Sequence, residues 1–417
     1  MQPMSLPLFV NIKQKFDNSF LTDPAGSIQS ELDRVNISQM INPGDQVGIA
    51  VGSRGINQLP LLLKVLVENV LDMGASPFFI PAMGSHGSAR AKKQSQIVSD
   101  MVGNELSSIP IRATMDVEDV GKTRSGFDVY FSSDALKAEK IIIANRIKPH
   151  TDFRGNFGSG LLKMLSIGLG KQKGAETCHV VGKKLGLGRV IRDAADKIIS
   201  CAPVVLGIGI VENAYNKIVK IQAVTPGKFW ETEQIMFSQA IELMPKLPFD
   251  DIDILIIDEI GKEISGNGMD PNITGRWEGI SASFPRIGQI FVRDLSIPSR
   301  GNAIGIGLAD ATTKRMVNRI DMEATKVNCL TSLSLESGKI PISFKNDHEA
   351  LMTLAEIIPG NPEELKMVWI KSTSYLEKCV VSDSYMDKIK KRPDLVLVDG
   401  PFDLQFDEEL NLISFRA

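Results

Sequence analysis

The chain has 417 residues, 43% hydrophobic and 23% charged, with a formal net charge of −3 and a pI near 6.0. That length implies two or three domains, each able to bury a core. No basic run stands out and only 6% of residues are aromatic, which argues against a nucleic-acid partner; no stretch approaches the ~18 consecutive apolar residues of a membrane span.

The opening MQPMSLPLFVNIKQKF lacks the basic and long apolar regions of a secretory signal, so a cytoplasmic protein is expected. Cys178, Cys201, Cys329 and Cys379 form no CxxC pair and read as free thiols of a reducing compartment. Residues 1–40 are weakly patterned apart from a turn and helix at 23–32. QVGIAVGS (46–53) reads as a buried strand, and LLLKVLVENVLDMG (61–74) as a helix with Gly74 at its C-cap. A strand at 77–82, a glycine-bracketed loop and a helix at about 89–102 follow. This β-loop-α repetition signals an α/β domain with a parallel sheet. KIIIAN (140–145) is a third strand, 183–200 ends in a helix, 204–226 holds two strands around a turn at Asn213–Lys217, and 228–247 is an amphipathic helix.

A boundary falls near PKLPFDDID (245–252). Beyond it come strands at 251–261 and 289–296, a Gly/Asn/Pro-rich loop between them, and a Gly-rich turn and helix over 299–321. The pattern ends with KIPISF (339–344), a helix at 346–358, a strand at 366–373 and two short terminal strands. The expected architecture is therefore two α/β domains with mainly parallel sheets, 1–248 and 249–417, with the active site in the cleft between them and the extreme C-terminus free to pack back on the first domain.

In parallel sheets, ligands sit at loops leaving the carboxyl ends of strands. Arg54, His86 and His150 each occupy such a loop, and three loops on one side of a sheet can converge. His86, in MGSHGSA, has small neighbours that expose its imidazole; near neutral pH it serves as acid or base, or else is a plain turn residue. His150, in KPHTDFRGN, is crowded by Lys148, Asp152 and Arg154, a reactive setting or a solvated loop. Lys163, flanked by Leu161, Leu162, Met164 and Leu165, either snorkels past an apolar stem or is desolvated and nucleophilic, as a covalently attached cofactor requires. His179 reads as a helix-surface residue or a ligand, and His348 as a bland helix-start residue. The glycine-rich pieces at 155–160 and 168–174 match neither GxxxxGK[ST] nor GxGxxG before a helix.

Taken together, Arg54 in GSRGINQLP, His86 in GSHG, His150 in PH, Lys163 and His179 resemble the nickel-dependent lactate racemase family, mainly over residues 45–180. SGNGMDPNITGR (265–276) resembles a branch of lactate-racemase-like homologues. The resemblance implies a nickel pincer nucleotide (pyridinium-3-thioamide-5-thiocarboxylic acid mononucleotide) joined through its thioamide to Lys163, with His179 as the protein's nickel ligand. His86 and His150 would exchange the substrate hydroxyl proton while the C2 hydride moves to the cofactor and back, and Arg54 would bind the carboxylate. It also implies a small 2-hydroxy acid substrate and transient contact with cofactor-making enzymes. This sequence departs from the family in the polar run after His150, where Thr151, Asp152, Arg154 and Asn156 point to a sugar acid in place of lactate. Asp270, Asn272 and Arg276, in a polar loop of the second domain, are the remaining substrate-binding candidates. The rival readings are a mononuclear metallohydrolase using His86, His150 and His179, and a cofactor-binding homologue without turnover.

Overall fold

Three consecutive isoleucines show how the N-terminal fold is layered. Ile141 and Ile143 pack into one core while Ile142 packs into another. Successive side chains of a strand point to opposite faces, so a strand apolar on both faces must be covered on both. The computed structural model describes residues 5–53, 55–279 and 284–413.

The chain divides into two compact units. One runs from Asp17 to Met244; the other joins the leading segment through Phe16 to the part from Pro245 onward. The leading segment supplies β1 (Phe9–Gln14) to that second unit. The Asp17–Met244 unit then carries α1 (Pro24–Arg34), β2 (Gln46–Val51), α2 (Leu59–Asp72), β3 (Ser76–Pro81) and α3 (Ala91–Val102). A hairpin of β4 (Val117–Lys122) and β5 (Asp128–Ser132), a short α4 (Ser133–Leu136) and β6 (Lys140–Arg146) follow. Next come α5 (Leu161–Lys163), running on into a π-helical turn over Met164–Gly168, then α6 (Lys171–Leu185), α7 (Leu187–Cys201), β7 (Val204–Glu212), β8 (Ile218–Val224) and α8 (Phe229–Leu243).

The sheet order is β3-β2-β6-β7-β8, parallel except for β8. One face packs Phe78, Ile80, Ile141 and Ile143 against Leu161, Leu165, Ala175, Val190, Ile191 and Ile198 of the helices over it. The other packs Val47, Ile49, Phe79 and Ile142 against Ile28, Leu32, Leu62, Leu66, Val98 and Val102. The result is an open α/β sheet with helices on both sides. Because β2 lies between β3 and β6, the three strand-exit loops singled out in the sequence are neighbours, all at the carboxyl ends of parallel strands.

The second unit carries β9 (Asp251–Ile260), a short α9 (Pro271–Thr274), β10 (Arg286–Leu295), β11 (Ala311–Thr313), α10 (Lys314–Asn318) and α11 (Met322–Ser332). It continues through β12 (Ile342–Phe344), α12 (Asp347–Ile357), β13 (Met367–Ile370), β14 (Lys378–Ser382), α13 (Met386–Lys391) and β15 (Leu395–Phe402). Its eight-stranded sheet has the order β12-β11-β10-β9-β13-β14-β1-β15. The first five strands are parallel and the last three are antiparallel. The chain is thus α/β with two mainly parallel sheets. Two differences from the sequence expectation stand out. β1 arises in a segment without clear periodicity and enters the sheet of the C-terminal unit between β14 and β15. Over 299–321, where a Gly-rich turn and a helix are expected, the chain forms a 3₁₀ turn at Ile306–Leu308, the unforeseen strand β11 and only the short α10. Among the described residues, no helix is long and apolar enough to cross a membrane.

Candidate active site

The loop after β3 holds His86, and its shape is fixed from three directions. The buried Gln94 side chain donates to the carbonyls of Gly84 and His86, each at 2.9 Å. The Gly84 N–H donates to the Gly168 carbonyl at 3.0 Å. Gly168 must lack a side chain, because a Cβ there would stand 2.7 Å from the Ala82 carbonyl oxygen. Buried Lys171 donates from Nζ to the Pro81 carbonyl at 2.7 Å, and burial pushes its ammonium down to about 8. The imidazole of His86 is exposed, and its Nδ1 is hydrogen-bonded to the Ser53 hydroxyl from the loop after β2.

The loop after β6 is closed by a two-way backbone pair. Lys148 N–H donates to Ser159 at 2.9 Å and Ser159 N–H returns the bond at 2.8 Å. Gly158 sits where a Cβ would lie 2.3 Å from the Lys148 oxygen, so only glycine lets the loop close this tightly. His150 is buried inside, stacked on Phe153 with ring centroids 4.6 Å apart. Phe153 in turn meets Phe157, and Phe157 meets Trp230 edge-on. This aromatic wall explains the electrostatics. Desolvation, then the Lys163 charge, hold His150 well below the usual histidine range, with Asp152 opposing. The Asp152 backbone N–H donates to His150 Nδ1 at 3.0 Å. In the neutral ring, Nδ1 is therefore the acceptor and Nε2 carries the proton.

Lys163 closes the short α5. Its flanking residues Leu161, Leu162, Met164 and Leu165 are buried, while Lys163 itself is half-buried and lines a cavity. The π-helical turn after it closes with a Leu169 N–H to Met164 carbonyl bond of 2.8 Å. Such turns recur at functional sites. His179, half-buried on α6, is also held below its usual range, chiefly by desolvation, with Asp152 opposing and Lys163 and Lys183 adding to the effect. A neutral imidazole is the form that binds a metal. The neighbouring thiol, Cys178, is pushed up to about 12 by burial and is inert at neutral pH.

The cavity has a volume of about 120 Å³ and is lined by Gly52, Ser53, Ala82, Met83, His86, Asn145, Arg146, Lys148, Ser159, Lys163, Met164, Ile167 and Gly168. His86 and Lys163 thus face one space, and His150, His179 and Asp152 share an electrostatic environment with Lys163. Arg146 is ion-paired with Glu212. Arg154 is exposed on the polar loop. Arg54 lies outside the described residues. In the other unit, Asp270 caps α9, accepting from the backbone and side-chain nitrogens of Asn272, each at 2.9 Å. Arg276 holds Asp310 at 2.9 Å and the carbonyls of Ile287 and Gly288. The ring of His348 meets Phe406 edge-on. Among the described residues no group of three or more His, Cys, Asp or Glu is arranged to hold a metal ion.

Sequence reasoning passed over Ser53, Gln94, Asn145, Lys171 and Glu233. A signal existed for the last: Glu233 falls on the apolar stripe of α8 with Phe229, Met236 and Phe237, where a carboxylate has no solvent.

Residues 21–184, which include every lining residue of the cavity together with His150 and His179, match the family model of the lactate racemase N-terminal domain. Several solved chains share the fold, among them these two. One is the lactate racemase apoprotein from Thermoanaerobacterium thermosaccharolyticum (15% identity, TM-score 0.52, covering 88% of this chain and 99% of that one). The other is a protein from Thermotoga maritima (14% identity, TM-score 0.50, covering 84% and 97%). No curated protein sequence matches.

Proposed function

We propose, from the match of residues 21–184 to the lactate racemase N-terminal domain model, that this chain is a racemase or 2-epimerase of a polar 2-hydroxy acid, dependent on a nickel pincer nucleotide. The observation that carries the reading is the meeting of His86 and Lys163 in one cavity, with His150 and His179 close enough to Lys163 to feel its charge.

The residues fit the group. Lys163 offers an amine on the cavity wall, and His179 offers an imidazole kept neutral by burial, the form a soft, sulfur-ligated nickel accepts. When bound, the cofactor supplies a hydride acceptor for C2 of the substrate. The chain's own residues do the rest. His150, with Nδ1 occupied by the Asp152 N–H, holds its proton at Nε2 and acts first as donor. His86, oriented through Nδ1 by Ser53, is the complementary group, so the pair can give and take the hydroxyl proton in turn. Arg54 binds the carboxylate in this proposal, since its planar fork suits a bidentate anion. Thr151, Asp152, Arg154 and Asn156 recognise further hydroxyls, which favours a sugar acid over lactate.

Expression together with the cofactor-making enzymes, followed by intact and peptide mass analysis, tests this. The expected result is an adduct on Lys163 and interconversion of 2-hydroxy acid stereoisomers that Lys163→Ala abolishes. No adduct, with full activity in Lys163→Ala, would sink the proposal.

A further inference from the structure

We propose that Glu233 is the positioning residue for Lys163: its buried carboxyl, delivered from α8, closes the amino end of the helix carrying Lys163 and so sets where the amine stands in the cavity. The kinetic meaning of this rests on the proposed function, but the placement rests on geometry alone.

Glu233 is fully buried. Its Oε2 accepts the Leu162 N–H at 3.0 Å, and the Leu161 N–H also acts on the same carboxyl. These are the first two donors of α5, which the helix itself leaves without partners. The preceding residue is built around the carboxyl: a Cβ on Gly160 would stand 2.4 Å from Glu233 Oε1. From the opposite side Asn145, a cavity residue, donates to the Gly160 carbonyl at 2.9 Å. The segment Gly160–Leu162 is therefore clamped between α8 and the end of β6, immediately before Lys163.

This segment needs a clamp. α5 spans only Leu161–Lys163 before the π-helical turn, and a helix so short has no stability of its own. A leucine at position 233 would satisfy the core at less cost than a carboxylate, because burying a charge without a counter-charge is unfavourable. Burial raises Glu233 to about 7, the two backbone N–H groups opposing, and no charged side chain contributes. A costly acid retained under the residue that faces the cavity is explained by what it holds.

The test uses the full-length protein without cofactor, so it stands whether or not the racemase reading is right. Acetic anhydride labels lysines at a rate set by the free amine's fraction and access. Peptide mass spectrometry reads Lys163 against Lys148 as internal reference. In Glu233→Leu the unclamped segment should give the reagent freer access to the Lys163 amine, so its rate should rise severalfold relative to Lys148, and amide exchange at Leu161 and Leu162 should quicken. Glu233→Gln keeps one acceptor and should fall between; it also carries the test if the leucine variant does not fold. A Lys163 rate unchanged or lower, with those amides still protected, overturns the proposal. In the loaded enzyme the same variants should lower kcat with little change in KM; loss of that split alone, with labelling as expected, would count against the racemase reading and not against Glu233 as the positioning residue.

Discussion

In the C-terminal unit, Arg293 lies between Asp258 and Asp347, the latter at 2.8 Å, and Arg315 and the Leu412 N–H complete the shell of Asp347. Burial lowers the guanidinium's proton affinity, yet the two aspartates outweigh it and hold Arg293 above its usual value. In the N-terminal unit, His150, Lys171 and Glu233 are as deeply buried, and in each desolvation wins: both bases are pushed down and the acid up. One region pairs its buried charges, although desolvation still raises the Asp258 carboxyl against the pull of Arg293. The other leaves its buried groups without an opposite charge strong enough to offset burial. A paired network is a structural device, whereas desolvated groups facing or underlying a cavity mark where chemistry is done.

That contrast fixes the largest expected effect. Arg293→Met strands Asp258 and Asp347, so it should destabilise by about 3–5 kcal/mol, read from urea unfolding. Lys163→Met removes a half-desolvated cation and should cost less than about 1 kcal/mol while abolishing turnover. Equal losses of stability in the two variants would erase the distinction between the regions.

Glu233 gives the next effect, and its sign is opposite to that of a paired acid. Its folded pKa of about 7 stands above the ordinary 4.5. Stability from this group is therefore complete below pH ~4.5 and is lost as pH rises through ~7, by about 3 kcal/mol for a shift of this size. Glu233→Gln lacks the titration. Measured against the parent, its urea midpoint should improve between pH 5 and pH 8. A constant offset across that range would mean that the carboxyl is not desolvated as described.

A smaller change tests the fit around the same carboxyl. Gly160 has φ of 178°, a value open to any residue, so Gly160→Ala meets only the clash with Glu233. The expected cost is about 1–3 kcal/mol. Combined with Glu233→Ala the two losses should fall short of their sum, because the second change removes the obstacle. Full additivity would show that Gly160 is constrained by something else.

Much of this site was legible in the sequence because its parts are short-range. An apolar strand followed by a short loop carrying His86 or His150 is a local pattern, and the order β3-β2-β6 makes neighbours of loops that parallel strands already aim the same way. Lys163 betrayed itself by its apolar flanks. Long-range partners left little trace. Gln94 stands in an ordinary amphipathic helix, and its bonds to Gly84 and His86 depend on how that helix packs. β1 escaped notice because its sheet neighbours, Lys378–Ser382 and Leu395–Phe402, are more than 350 positions away. Short elements such as β11 span three residues, too few for any period to appear.

The smallest effect concerns the hydroxyl that orients His86. Ser53 lies in the loop after β2 and its hydroxyl is bonded to His86 Nδ1, whereas the loop backbone is held separately by Gln94. Ser53→Ala should therefore leave stability within about 1 kcal/mol, the net worth of one hydrogen bond. It should loosen only the imidazole, lowering kcat by about tenfold, or roughly 1.4 kcal/mol of barrier. For a racemisation the equilibrium constant is one, so kcat/KM must drop by the same factor for both enantiomers, whichever histidine was disturbed. The individual kcat values carry the information. If His86 and His150 serve opposite faces, Ser53→Ala and Phe153→Ala, which unstacks His150, should slow kcat preferentially for opposite enantiomers. The same preference in both variants would mean that one histidine handles both hands of the substrate.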